Sequence, residues 1–302
     1  MSAATTIAPG PAPADGAPPK DWRDRFYHAR DGIRLHYREY GDPASARAPV
    51  LCLGGLTRNC QDFDLLARRL ARQHRVVCPD LRGRGDSEFD PNWRNYRPEI
   101  YLDDLRQLMA AARLGHVIVI GTSLGGVLAM AMGVAMPVAL RGVVLNDTGP
   151  EFDVAGIARI IDYVGEDKPQ PDWETAARHM ADRFPHLSKR NDDIWRRLVR
   201  NSYREGADGR LHVNWDVNLS RSLKRLVRGP LPDLWPLYRS LKNVPVLALR
   251  GAWSDVVTAA ALDRMAHEKP DLIAVTVRDV GHAPTLEEPE VEAALNDFLA
   301  DL

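Results

Sequence analysis

One pentapeptide, Gly121-Thr122-Ser123-Leu124-Gly125, constrains this chain more than any other feature, because of what flanks it. Ahead of it runs Val117-Ile118-Val119-Ile120, a continuous apolar stretch of the kind expected for a central parallel strand covered on both faces. Behind it, residues 124–136 are helix-forming and stop before Pro137. A serine between such a strand and such a helix stands on a tight, strained turn that requires small neighbours. Its hydroxyl projects above the sheet, and the helix N-terminus behind it favours developing negative charge. Ser123 is therefore the candidate nucleophile. The plainer reading, a glycine-lined turn that only permits close packing, explains the glycines but not the serine.

A serine hydroxyl needs a base. His282 lies in Val280-Gly281-His282-Ala283-Pro284, after the last predicted strand and before the final helix, in a loop that Gly281 and Pro284 shape. The other histidines considered fall within a hairpin strand (His36), just ahead of core strands (His74, His116), in the interval 148–240 (His179, His186) or at the end of a helix (His267), where packing or surface roles are usual. The acid that orients the base is assigned to Asp255, in Arg250-Gly251-Ala252-Trp253-Ser254-Asp255, because the order Ser, Asp, His places it shortly before the histidine. Asp147, just past the apolar run 143–145, is the rival, with anchoring of the segment that follows as its other role. Oxyanion donors are expected from the backbone N–H groups of Leu124 and Leu56, the latter in the loop Gly54-Gly55-Leu56-Thr57-Arg58-Asn59. Trp253 and Tyr163 are candidate pocket residues, with simple packing as the alternative for each.

The rest of the chain supplies a frame. Asp31-Gly32 between two alternating stretches signals a hairpin. Apolar runs at 50–53, 75–78, 117–120, 143–145, 246–249 and 273–277 alternate with helical patterns at 62–73, 101–112, 124–136 and 291–302. Such alternation implies a mostly parallel sheet with right-handed crossovers, flanked by helices. The rhythm breaks between Asn146 and Val244, which offer helical stretches (157–164, 173–182, 192–203) and no strong strand. The expected organisation is a flexible tail at 1–20, a core at 21–147 and 241–302, and a helical cap inserted at 148–240.

Composition narrows the function classes. With 40 basic and 41 acidic residues, the chain shows no footprint for nucleic acid and no polybasic membrane anchor. Arg82, Arg84, Arg196 and Arg197 read as solvated faces or salt-bridged loops. No apolar run approaches bilayer length, and the Ala/Pro/Gly-rich first twenty residues lack a secretory pattern, so a cytoplasmic location is the default expectation. Cys52 and Cys78 sit in apolar runs as small core hydrophobes, and no cysteine or histidine spacing suggests a metal. No cofactor is expected, and the oligomer, a homodimer included, is left open.

Taken together, the elbow at 121–125, the loops 250–255 and 281–282, and the segment Asp80-Leu81-Arg82-Gly83-Arg84-Gly85-Asp86-Ser87 resemble the α/β-hydrolase superfamily from about residue 27 onward. The last segment looks like that family's D-x-R-G-x-G-x-S loop, whose role there is structural. Some members place the acid where Asp147 stands, and many have His-Gly where this chain has Gly54-Gly55. The resemblance implies a serine hydrolase of the α/β-hydrolase fold, cleaving a carboxylic ester or lactone of a small, fairly apolar substrate through an acyl-enzyme. The rivals are hydrolysis of a carbon–carbon bond in a ring-cleavage product, for which Thr122 replaces the usual Asn, and a slow or silent ligand receptor.

Overall fold

The computed structural model describes residues 21–184, 192–226, 228–229 and 231–302. The predicted tail at 1–20 lies outside them. The predicted hairpin is present: β1 (Trp22–His28) pairs antiparallel with β2 (Arg34–Tyr40), and Gly32 supplies the positive φ of 89° that the turn requires. Strands β3 (Val50–Leu53), β4 (Val76–Pro79), β5 (Val117–Thr122) and β6 (Leu140–Asn146) follow, and β9 (Val246–Gly251) and β10 (Ile273–Val277) complete the sheet. The spatial order is β1-β2-β4-β3-β5-β6-β9-β10, parallel from β4 to β10.

Helices cover both faces, which is why β3, β4 and the apolar run of β5 are buried at every position. On one side Leu105 and Leu108 of α2 (Pro98–Ala111) and Leu128, Ala129 and Met132 of α3 (Leu124–Ala135) pack on Leu51, Val119 and Val143. On the other, Leu66 and Leu70 of α1 (Asp64–Leu70) and Leu295 and Phe298 of α10 (Pro289–Ala300) pack on Val50, Ile120 and Val144. Cys52 and Cys78 are buried in this second layer, as read from their apolar settings. The chain leaves β3 for β4 on one side and returns to β5 on the other. The crevice at such a reversal, above the carboxyl ends of the strands, is where ligands bind in open α/β sheets.

Between β6 and β9 lie α4 (Val154–Val164), α5 (Trp173–Arg183), α6 (Asp192–Ser202), α7 (Leu219–Leu226) and α8 (Trp235–Arg239). The interval also contains what the alternation pattern missed: β7 (Tyr203–Glu205) and β8 (Leu211–Val213) form an antiparallel hairpin of their own. Strands of three residues are too short to show a period of two. Helix α8 packs on α3, with Trp235 and Tyr238 in the same layer as Leu128, so core packing resumes before residue 241.

Arg82 and Arg84 are almost completely buried, so of the two readings the solvated face falls away, and for Arg82 the salt-bridged loop holds. Arg82 donates to Asp104 from Nε and Nη2 at 2.7 and 2.6 Å, to Asp90 at 2.5 Å and to Asp31 at 2.8 Å. Burial works against this cation, but the hydrogen bonds to Asp104 and Asp31 outweigh it and raise its pKa above the usual arginine range. Removing the cation would leave Asp90 and Asp104 buried without their counter-charge, a loss of about 3–5 kcal/mol. Arg82→Met is accordingly expected to lower unfolding stability by that amount in denaturant titration. A change below about 1 kcal/mol would show the cluster to be energetically idle.

Candidate active site

Ser123 follows β5 with φ 52° and ψ −115°, a left-handed conformation that a non-glycine residue holds only under constraint. The constraint is visible at the flanking glycines. A Cβ on Gly121 would stand 2.4 Å from the Gly125 carbonyl oxygen, and one on Gly125 would stand 2.0 Å from that of Leu53. The turn closes only because both lack side chains. Ser123 N–H donates to Asn146 O at 3.0 Å, tying the elbow to the end of β6.

His282 arrives on the loop after β10. Its Nε2 lies 3.0 Å from Ser123 Oγ. Its Nδ1 lies 2.6 Å from a carboxylate oxygen, which belongs to Asp147 and not to Asp255. Asp147 directly follows β6, the strand beside β5, and its own φ of 48° turns the chain there. The side chain is fully buried and also accepts from Gly251 N–H at 2.9 Å and Ser254 O–H at 2.6 Å. A carboxylate accepts only, so Nδ1 carries the ring hydrogen and Nε2 is left to accept from the serine hydroxyl.

Asp255 is exposed and forms a two-pronged ion pair with Arg159 of α4, at 2.9 and 2.8 Å. Its backbone packs on the same helix, where a Cβ on Gly156 would approach Asp255 O to 2.1 Å, and Asp153 N–H donates to Val256 O. The anchoring role expected of Asp147 thus falls to Asp255. The loop after β9 presents Ser254 to the centre instead, which a search for acidic residues could not find.

Leu124 opens α3, where first-turn N–H groups have no partner within the helix. The Leu56 carbonyl accepts from buried Arg84 Nε at 2.7 Å, and Arg84 is also bonded to Arg82 O and Tyr101 Oη. The Asp80–Ser87 loop therefore reaches the candidate oxyanion loop directly, a role that the arginines' charge had hidden in the sequence.

A cavity of about 180 Å³ opens on Ser123 and His282. Leu56 and Arg58 form part of one wall, and Ile160, Tyr163 and Val164 of α4, Met180 of α5 and Leu198 of α6 form the opposite side. Tyr163 is where the sequence suggested. Trp253, 48% exposed, is absent from the lining. Two ion pairs border the cavity: Arg58 with Asp62 at 2.5 and 2.6 Å, and Arg197 of α6 with Glu287 at 2.6 and 2.8 Å. Burial pushes the Glu287 carboxyl up, against the opposing pull of Arg197. Among the described residues, one group has metal-ligand chemistry: His36, Cys60 and Asp80, buried away from this lining. Asp80 there already bonds His36 Nδ1 at 2.8 Å and Cys60 N–H at 2.6 Å.

Residues 50–295 match the model of the alpha/beta hydrolase family. The chain belongs to that family. It is 31% identical over 275 residues to a 3-hydroxybutyrate-oligomer hydrolase of Cupriavidus necator, covering 88% of this chain and 92% of the relative. It is 29% identical over 269 residues to a 2-(acetamidomethylene)succinate hydrolase of Mesorhizobium japonicum, with the same coverage. Among solved structures, an alpha/beta hydrolase from Novosphingobium aromaticivorans superposes with a TM-score of 0.87 at 40% identity, over 93% of this chain and 99% of that one. The family accounts for the fold and supports a hydrolase. No helix among the described residues is long and apolar enough to cross a membrane.

Proposed function

We propose that this family member hydrolyses a small carboxylic ester or lactone through an acyl-enzyme on Ser123. The observation that carries the reading is the unbroken relay from Ser123 Oγ through His282 to Asp147, with contacts of 3.0 and 2.6 Å. Ser123 attacks the carbonyl carbon while His282 Nε2 takes its proton, and Asp147 holds the imidazole's tautomer and stabilises the imidazolium without taking the proton. The tetrahedral oxyanion rests on the N–H groups of Leu124 and Leu56. The proton then passes to the leaving alcohol, and water activated by the same histidine releases the acid. Helices α4, α5 and α6, which line the cavity, act as a cap over the acyl or alcohol portion. Similarity to the Cupriavidus necator protein supports esters of hydroxy acids as the substrate class.

A fluorophosphonate probe should add one phosphonyl group per chain at Ser123, read by peptide mass, and p-nitrophenyl esters should give an initial burst equal to the enzyme concentration. Labelling at any other serine would reject the assignment. Labelling without turnover would favour a receptor that retains the fold.

A further inference from the structure

Most of what α4, α5 and α6 present to the cavity is apolar, with Arg197 and Asn201 as polar exceptions beside Tyr163. Tyr163 Oη is shielded from solvent and has no hydrogen-bond partner among the described residues. Its ring is wedged against Phe184 at 4.8 Å and Trp215 at 5.2 Å between centroids, so rotation into solvent is blocked on two sides. A buried hydroxyl without a partner is costly, which makes an oxygen acceptor brought by a ligand favourable at that point. Burial also drives the phenol's pKa well above its ordinary value, so the group is a donor throughout the working pH range.

The acceptor's charge can be read from the neighbours. Arg58, whose side chain begins one residue-width from the nucleophile, faces Gly55: a Cβ there would lie 3.3 Å from Arg58 Cγ and 3.7 Å from Ser123 Cβ. Its guanidinium is matched by Asp62 and donates further to Ser202 Oγ at 2.5 Å. Arg197 is matched by Glu287. Among the described residues, each cation bordering the cavity thus has its own carboxylate, which leaves no net positive charge there for an anion.

Resting on the ester-hydrolase reading above, we propose that Tyr163 is a specificity residue whose hydroxyl donates to a second, uncharged carbonyl oxygen of the substrate. The favoured substrates are then esters carrying a further ketone or ester carbonyl, rather than plain alkyl esters or half-esters ending in a carboxylate.

The test compares wild-type protein with Tyr163→Phe on matched esters. On the acyl side these are p-nitrophenyl 5-oxohexanoate, p-nitrophenyl hexanoate and p-nitrophenyl hydrogen glutarate. On the alcohol side they are methyl 3-butyryloxybutyrate and pentan-2-yl butyrate, followed by acid release. Wild-type kcat/KM should favour the carbonyl-bearing ester on at least one side, and Tyr163→Phe should reduce that ratio about tenfold. A loss shared equally by all esters would show Tyr163 to be a packing residue and overturn the proposal, as would a preference for the glutarate half-ester. Absence of turnover with every ester would overturn the hydrolase reading as well, so the two failures are distinguishable.

Discussion

Ser123→Ala is expected to lower kcat on any accepted ester by about 10⁶-fold, with binding of the substrate retained. The size follows from the relay: without Oγ there is no acyl-enzyme, and His282 has only water to activate. A residual rate of about 10³–10⁴ over water should persist, because the Leu124 and Leu56 N–H groups and the cavity remain. The fold should tolerate the change well, since alanine keeps the Cβ and the constraint at φ 52° is imposed by Gly121 and Gly125. A kcat within tenfold of wild type would remove Ser123 from the chemistry altogether.

Asp147→Asn should cost about 10⁴-fold in kcat with little change in KM. The amide retains the shape of the carboxylate but can present an N–H to His282 Nδ1, which selects the tautomer that cannot accept the serine proton. It also leaves the imidazolium without its counter-charge in a fully buried setting. Gly251 N–H and Ser254 O–H, which fix the carboxylate at 2.9 and 2.6 Å, hold the side chain in place whichever group it bears. Asp255→Asn is the matching control. Its carboxylate is exposed and paired with Arg159, and exposed pairs contribute about 0.2–1 kcal/mol, so kcat should stay within a few-fold. Reversed effects in the two variants, measured as kcat on one ester, would overturn the orientation of the relay.

The acid is where reading along the chain and reading across the sheet part company. Both aspartates follow a strand at its carboxyl end, so sequence order alone made Asp255 attractive. What distinguishes them is that β6 lies directly beside β5, whereas β9 is one strand further away. Asp147 needs only its left-handed turn to reach His282, while Asp255 stands four residues past β9, drawn toward α4. The hairpin β7–β8 escaped notice for a different reason. Its strands are held by interstrand pairing and by contacts with the 83–85 loop, such as Gly85 N–H to Asn214 O, and not by any local hydrophobic pattern.

From the amino-acid order alone one obtains the alternating α/β frame, the elbow serine and the histidine loop. Each is encoded locally, by apolar runs, by glycines that a tight turn demands, and by spacing along one segment. The partner of His282, the burial of Arg82 among its aspartates and of Arg84 against the candidate oxyanion loop, and the unmatched hydroxyl of Tyr163 emerge only when distant segments meet. They depend on which strands become neighbours and on which charges find counter-charges. Those are properties of packing, to which residues more than a hundred positions apart contribute.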